Sequence, residues 1–233
     1  MVSAAALSEM TAFVRGLVEN SLGKMTPQTR EAVHKESWFT TAKRDRDAFK
    51  STISFEQTLL KLKEQDKKLG LLTDAEIAVL ECVHYLVNVE GPLQTMCAQL
   101  CLYAIKAGLP FEVRRGSQTV QIATAEAILQ TSMDEKLEFL ARCNVRVPPG
   151  TYNRKLRNSI AHMDFGISDN GSISYDEEEI TYERLERLVW NTRDVYVTLQ
   201  RAAAGVVGEF LKKDGWRGPR PGLLPPPPAR PAP

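Results

Sequence analysis

Four residues in one short segment of this 233-residue chain have the chemistry for attack on a phosphodiester: Arg154, Arg157, Asn158 and His162. Read as a helix of about 100° per residue, Thr151–Phe165 brings all four to one face. Leu156, Ile160 and Met163 gather on the opposite face as an expected core stripe. Ala161 lies among the polar groups and leaves that face a shallow centre. An imidazole that titrates near neutrality takes a proton from a hydroxyl. A guanidinium is always charged and offers fixed donors to phosphate oxygens as negative charge builds. An amide four residues before the histidine orients the ring or binds a phosphate oxygen. Together these groups suit a reaction in which RNA attacks itself, the 2′-hydroxyl displacing the next nucleotide and leaving a cyclic phosphate. That scheme requires neither metal nor cofactor.

The elements around this segment are mostly helical. Thr73 with Glu76 forms a capping box, and Leu72 with Ile77 fits a hydrophobic staple, so a helix is expected from Asp74 to about Val89. Ile77, Val79, Leu80, Val83, Leu86 and Val87 make it apolar on most sides, as a central bundle helix would be. Gly91-Pro92 kinks or breaks it, and an apolar stripe from Leu93 to Ala104 continues to a stop at Gly108-Leu109-Pro110. A second long helix is expected over roughly Thr181–Lys212. One stretch departs from the helical period. Phe165 to Ile167 and Ile173 to Tyr175 alternate around Asp169-Asn170-Gly171, and a three-residue loop with Gly171 left-handed sets Ile167 opposite Ile173 and Phe165 opposite Tyr175.

These readings predict an all-α bundle over 53–213, with a small β-hairpin inserted between the segment helix and the last long helix. Residues 1–52 read as an N-terminal helical extension packed on that bundle, with an amphipathic segment at Ala4–Ser21, and a further amphipathic segment at Ile53–Leu69 opens the bundle itself. Residues 214–233 read as a proline-rich disordered tail, since eight of the 13 prolines fall there and proline removes donors and fixes φ.

Composition excludes several classes. An apolar fraction of 43% with 25% charged residues suits a folded globular chain. A net charge of +1 supplies no global field for polyanions or membranes, so nucleic-acid contact must be local. Apolar runs are too short for a membrane span. Four cysteines, and an N-terminus carrying Glu9 without a basic region, point to a reducing, cytoplasmic setting.

Arg157-Asn158-Ser159-Ile160-Ala161-His162 resembles the Arg-x4-6-His signature, in its Arg-Asn-x-x-Ala-His form, of the HEPN superfamily of helical bundles. The resemblance is sharp over Arg154–Asp164 and general, by helix order, over Ile53–Lys212. It implies a metal-independent endoribonuclease of the toxin or antiviral-defence type, with His162 as general acid or base, Arg157 stabilising the phosphate and Asn158 orienting or binding. It also implies a homodimer in which two copies of the motif meet in one cleft, acting on RNA and held by an antitoxin or regulatory partner. Other members bind nucleotides or have lost catalysis, so a non-catalytic module using the same face is the alternative. The role of Arg154, contact with a neighbouring phosphate, comes from helix geometry and not from the resemblance.

Further residues carry weaker readings. Glu90, at the Gly91-Pro92 break, could orient His162 or Arg157, or end a solvated helix. Cys97, Cys101, Cys82 and His84 could supply four zinc ligands, but the two cysteines on the leucine stripe and the histidine on an apolar helix read as core. The run Asp176-Glu177-Glu178-Glu179 reads as acids favoured near the start of the last helix. Arg114 and Arg115 with Lys106 could form a basic rim, or solvate a loop. A structural bundle whose proline tail recruits a partner is the third reading.

Overall fold

The computed structural model describes residues 1–39 and 42–215; the proline-rich segment of the expected tail lies outside the described residues. The signals at Thr73 act as read: its side chain accepts from the Glu76 N–H, and the Glu76 carboxylate accepts from the Thr73 N–H at 2.8 Å. The helix so opened, the fourth in order, runs Asp74–Asn88. Before it come α1 (Ala4–Gly23), α2 (Pro27–Phe39) and α3 (Ala42–Leu69), which makes it α4. Gly91-Pro92 does not end the helical path. A π-helical turn, Val89–Leu93, absorbs the missing proline N–H and passes directly into α5 (Gln94–Lys106). The last helix is capped by Thr181 and runs Tyr182–Lys213; it is α9, after α6 (Ala125–Leu129), α7 (Met133–Arg142) and α8 (Arg154–Ala161).

The fold is mainly helical with small antiparallel sheets. Two departures from the expected single hairpin follow from turn chemistry. A separate hairpin, β1 (Phe111–Arg115) with β2 (Gln118–Ile122), closes through two residues with Gly116 at φ 62°. Thus Arg114 and Arg115 lie on a strand, not in a loop. The expected hairpin is present as β3 (Gly166–Ile167) and β4 (Ile173–Tyr175), with Ile167 opposite Ile173 and Gly171 at φ 75°. A Cβ on Gly171 would stand 3.0 Å from the Asp74 carbonyl oxygen, so glycine lets this loop close onto the start of α4. A third strand, β5 (Glu178–Ile180), then pairs with β4 through a turn in which Asp176 and Glu177 both take positive φ, 43° and 62°. The acidic run is therefore a turn and a strand, and not the approach to α9. Such a turn usually advertises itself by Asn-Gly, which is why Asp-Glu concealed it.

Two apolar clusters meet along α9. The first joins α1, α5, α7, β1 and the C-terminal part of α9, with Val14, Val18, Leu100, Leu140, Leu199 and Val206 fully enclosed and Phe111 stacked on Phe139 at 4.3 Å. The expected N-terminal extension thus contributes, through α1, to this core. The second joins α4, α8, β4 and the N-terminal part of α9 through Cys82, Tyr85, Leu156, Ile160, Ile173, Leu185 and Val189. Each such side chain contributes about 1.5–3 kcal/mol on leaving water, so α8 is seated mainly by Leu156 and Ile160.

Between α3, α4 and α9 lies a buried charged network. Arg193 Nε stands 2.6 Å from Glu56 Oε1, His84 lies 3.4 Å from Glu81 and 3.8 Å from Glu56, and Lys63 pairs with Glu81 and, at 3.0 Å, with Glu186. Burial pushes the Glu81 carboxyl up, yet the hydrogen bond from His84 and the Lys63 charge outweigh it and leave it lowered. Burial dominates at Glu56, which is raised despite Arg193 and His84. His84 is a core histidine in an ionic setting, as its enclosed position on α4 requires.

Candidate functional site

The polar face of α8 is set by its two ends. At the start, Asn153 caps the helix, its Oδ1 accepting from the Leu156 N–H at 3.0 Å. The cap is itself gripped: the Tyr85 hydroxyl accepts from the Asn153 N–H at 2.8 Å and donates to the Asn153 carbonyl at 3.2 Å. The Asn153 amide donates to the Tyr175 hydroxyl at 3.0 Å. From α9, Asn191 donates to the Gly150 carbonyl and Thr192 to the Thr151 carbonyl, at 2.9 and 2.6 Å. Three elements therefore fix where α8 begins, and the helix starts at Arg154, not at Thr151.

The other end corrects the sequence reading more substantially. The helix stops at Ala161, with His162 as its C-terminal cap at φ −97°. Met163, at φ 58°, donates to the Ile160 carbonyl at 3.1 Å, and Asp164 donates to the Ser159 carbonyl at 2.8 Å. This is a Schellman motif with methionine where glycine usually stands. Met163 consequently leaves the core stripe and is 80% exposed. The same turn lifts His162 into solvent, where its imidazole has no hydrogen-bond or ion-pair partner among the described residues.

His162 opens onto a surface cavity of about 350 Å³ that Arg154 and Asn158 also line, together with Lys155, Ser159, Asp164 and Asp176. Of the expected site residues, Arg154, Asn158 and His162 thus share one opening. Arg157 does not line it and touches the lining through Asn158. Its Nη1 donates to Asn158 Oδ1 at 2.8 Å, and its Nε and Nη2 both pair with the Glu90 carboxylate. Glu90 is therefore brought to Arg157 and not to His162, by the π-helical turn that carries it toward α8.

Every cation of this face is matched by a carboxylate. Arg154 Nε lies 3.2 Å from Asp134 Oδ2, at the start of α7, and Lys155 Nζ lies 2.8 Å from Glu178 and 3.3 Å from Asp176. The hydrogen bond from Lys155 holds the Glu178 carboxyl below its usual range, and Glu178 and Asp176 in turn raise Lys155. Tyr152, half-buried just before the cap, feels Asp134, Arg157, Arg154 and Glu90 together; burial pushes its phenol up to about 12. Lys155, Asp134, Tyr152 and the tyrosine clamp on Asn153 did not emerge from sequence reasoning. Only the cap left a local signal, an asparagine just before an amphipathic run.

The other candidates lie away from this face. Cys97 and Cys101 are enclosed in the first core and Cys82 in the second, and burial pushes the thiols of Cys82 and Cys97 up to about 12. Among the described residues no group of three or more His, Cys, Asp or Glu has an arrangement able to hold a metal ion. Arg115 pairs with Glu135 at 2.5 Å, next in α7 to the Asp134 that holds Arg154. Among the described residues no helix is long and apolar enough to cross a membrane. No protein-family model, characterised protein or solved structure matches this chain.

Proposed function

We propose that the α8 face is the active site of a HEPN-like, metal-independent endoribonuclease of the toxin or defence type. The observation that supports this reading is the capping turn, which presents an unpartnered His162 imidazole at a cavity shared with Asn158 and Arg154 while Glu90 steadies Arg157 alongside. His162 takes the proton from a ribose 2′-hydroxyl; O2′ attacks the adjacent phosphorus; the bond from phosphorus to O5′ breaks, and O5′ leaves with a proton. Arg157 and Asn158 donate to the non-bridging oxygens as their charge grows. The products are a 2′,3′-cyclic phosphate and a 5′-hydroxyl. In a homodimer two such faces would combine, one His162 serving as base and the other as acid.

The test uses purified protein and mixed RNA in excess chelator, beside His162→Ala and Arg157→Ala. Cleavage ending in cyclic phosphates, lost in both variants while they remain folded, is the expected result. Undiminished cleavage by His162→Ala overturns the assignment, and mass measurement in solution reads the dimer separately.

A second reading is favoured by one observation. Arg154, Lys155 and Arg157 are each paired with a carboxylate within the chain, so a single copy offers RNA little uncompensated charge. A non-catalytic module that binds a nucleotide or a partner protein through this face fits that balance. It would bind a labelled nucleotide stoichiometrically and leave RNA intact.

A further inference from the structure

Among the titratable groups that line the cavity of about 350 Å³, His162 and Asp164 have no side-chain partner among the described residues. The others are committed: Arg154 to Asp134 at 3.2 Å, and Lys155 to Asp176 at 3.3 Å and Glu178 at 2.8 Å. The lining therefore holds two cations and two carboxylates, and both cations are already answered, so it has no spare positive charge for a phosphate. Asp164 leaves the same turn as His162. Its N–H donates to the Ser159 carbonyl at 2.8 Å, which closes the turn that His162 caps. Two positions apart, their Cα atoms are separated by at most about 7 Å. A free carboxylate this close to the group that takes the 2′-hydroxyl proton repels a polyanion unless it meets a hydrogen-bond donor.

The donors that a single RNA strand offers next to its sugar are those of the base edges, and the four bases differ in what they set before a carboxylate. Guanine has two adjacent donors, N1–H and the N2 amine, one for each oxygen. Adenine and cytosine have one amine beside a ring nitrogen that accepts, and uracil has one N–H between two carbonyls. Each of these three turns a lone pair toward the second oxygen. We propose that the cavity is a guanine pocket, with Asp164 accepting from N1–H and the N2 amine of the nucleotide whose 2′-hydroxyl His162 deprotonates. The proposal rests on the ribonuclease reading and adds its substrate class: RNA cut on the 3′ side of guanosine. A cavity of this size suits one base. Its balanced charge suits a neutral group and leaves the phosphate to Arg157 and Asn158.

The test is Asp164→Asn, which keeps the shape of the side chain and turns an N–H toward one of the two guanine donors. Asp164 is exposed and only its backbone holds the turn, so the variant is expected to melt as the unmodified protein does. The readout is the nucleotide that carries the cyclic phosphate after cleavage of mixed RNA in excess chelator. The unmodified protein is expected to leave guanosine there at least about tenfold more often than any other nucleotide. Asp164→Asn is expected to lose that preference, while cleavage after the other three nucleotides holds or rises because a negative charge is gone. A second measurement needs no variant: a transcript with inosine in place of guanosine lacks the N2 amine, and cleavage at those positions is expected to fall about tenfold. Ends spread evenly over the four nucleotides or concentrated on another one, a guanosine preference that survives Asp164→Asn, or inosine cut as well as guanosine each overturns the pocket and leaves the nuclease reading standing. An equal loss of cleavage after all four nucleotides in Asp164→Asn also overturns it. If the unmodified protein does not cleave RNA, the underlying reading fails and this one with it.

Discussion

Arg157 and Glu90 lie 67 positions apart in sequence and meet as an ion pair beside Asn158, a residue that lines the cavity holding His162. Two guanidinium nitrogens converge on one carboxylate oxygen, while a third nitrogen donates to Asn158. The guanidinium is therefore held in one plane, next to the residues that face the opening. A planar fork so held is a different object from a lysine at the same position.

Replacing Glu90 separates the charge of Arg157 from its orientation. Glu90→Gln is expected to lower kcat for RNA cleavage by about tenfold or more, since a misplaced catalytic group is costly, while KM does not rise because the arginine charge is freed. Arg157→Lys is expected not to restore activity. Steady-state kinetics on one RNA substrate decide the matter; a raised KM at unchanged kcat would show that Glu90 has no orienting role.

Met163 occupies a left-handed position that glycine takes without strain, and its side chain is exposed. Met163→Gly is expected to stabilise the protein by about 1 kcal/mol, or roughly 2–4 °C in thermal melting for a domain of this size. His162 keeps its place as the cap, so cleavage should persist. A drop in melting temperature would mean that the methionine side chain has a packing role.

The Arg193–Glu56 pair is enclosed on all sides, at 6% and 0% exposure. Arg193→Ala leaves a carboxylate without its closest cation and is expected to cost about 3–5 kcal/mol in urea unfolding. Replacing both residues by leucine should recover much of that loss, because the desolvation cost of the two charges is removed together.

The far end of α9 is tied to α2. Arg30 donates to both carboxylate oxygens of Asp214, at 2.6 and 2.7 Å, and to the Leu22 and Met25 carbonyls at the end of α1. The hydrogen bond from Arg30 holds the Asp214 carboxyl below its ordinary value, against a smaller opposing effect of burial. A carboxyl lowered by folding adds stability above its unfolded pKa, and that stability is lost as pH falls through the folded value. Melting temperature is thus expected to fall more steeply below about pH 4 in the unmodified protein than in Asp214→Asn. Parallel curves for the two proteins would remove this clamp from the account of acid stability.

Much of the helical layout is legible in the chain by itself, because the forces that set it act over a few residues. The cap at Thr73, the stop after Lys106, the start at Thr181 and the opposition of Ile167 and Ile173 all follow from side-chain chemistry and hydrophobic period within one or two turns. So does the sharing of one face by Arg154, Asn158 and His162. Where the local marker was absent, the reading failed. Without glycine the Schellman turn at Met163 passed for helix, and without Asn-Gly the turn at Asp176-Glu177 passed for the approach to α9.

Tertiary structure alone decided which charges meet. Glu90 reaches Arg157, Asp134 reaches Arg154, Glu178 reaches Lys155, and Tyr152 settles at the seam of two cores. Each of these depends on how far a π-helical turn rotates one helix, or where α7 and the sheet come to rest against α8. Ion pairs are short-ranged in space and indifferent to separation along the chain, so no pattern of neighbouring residues encodes them; the packing of the apolar faces does.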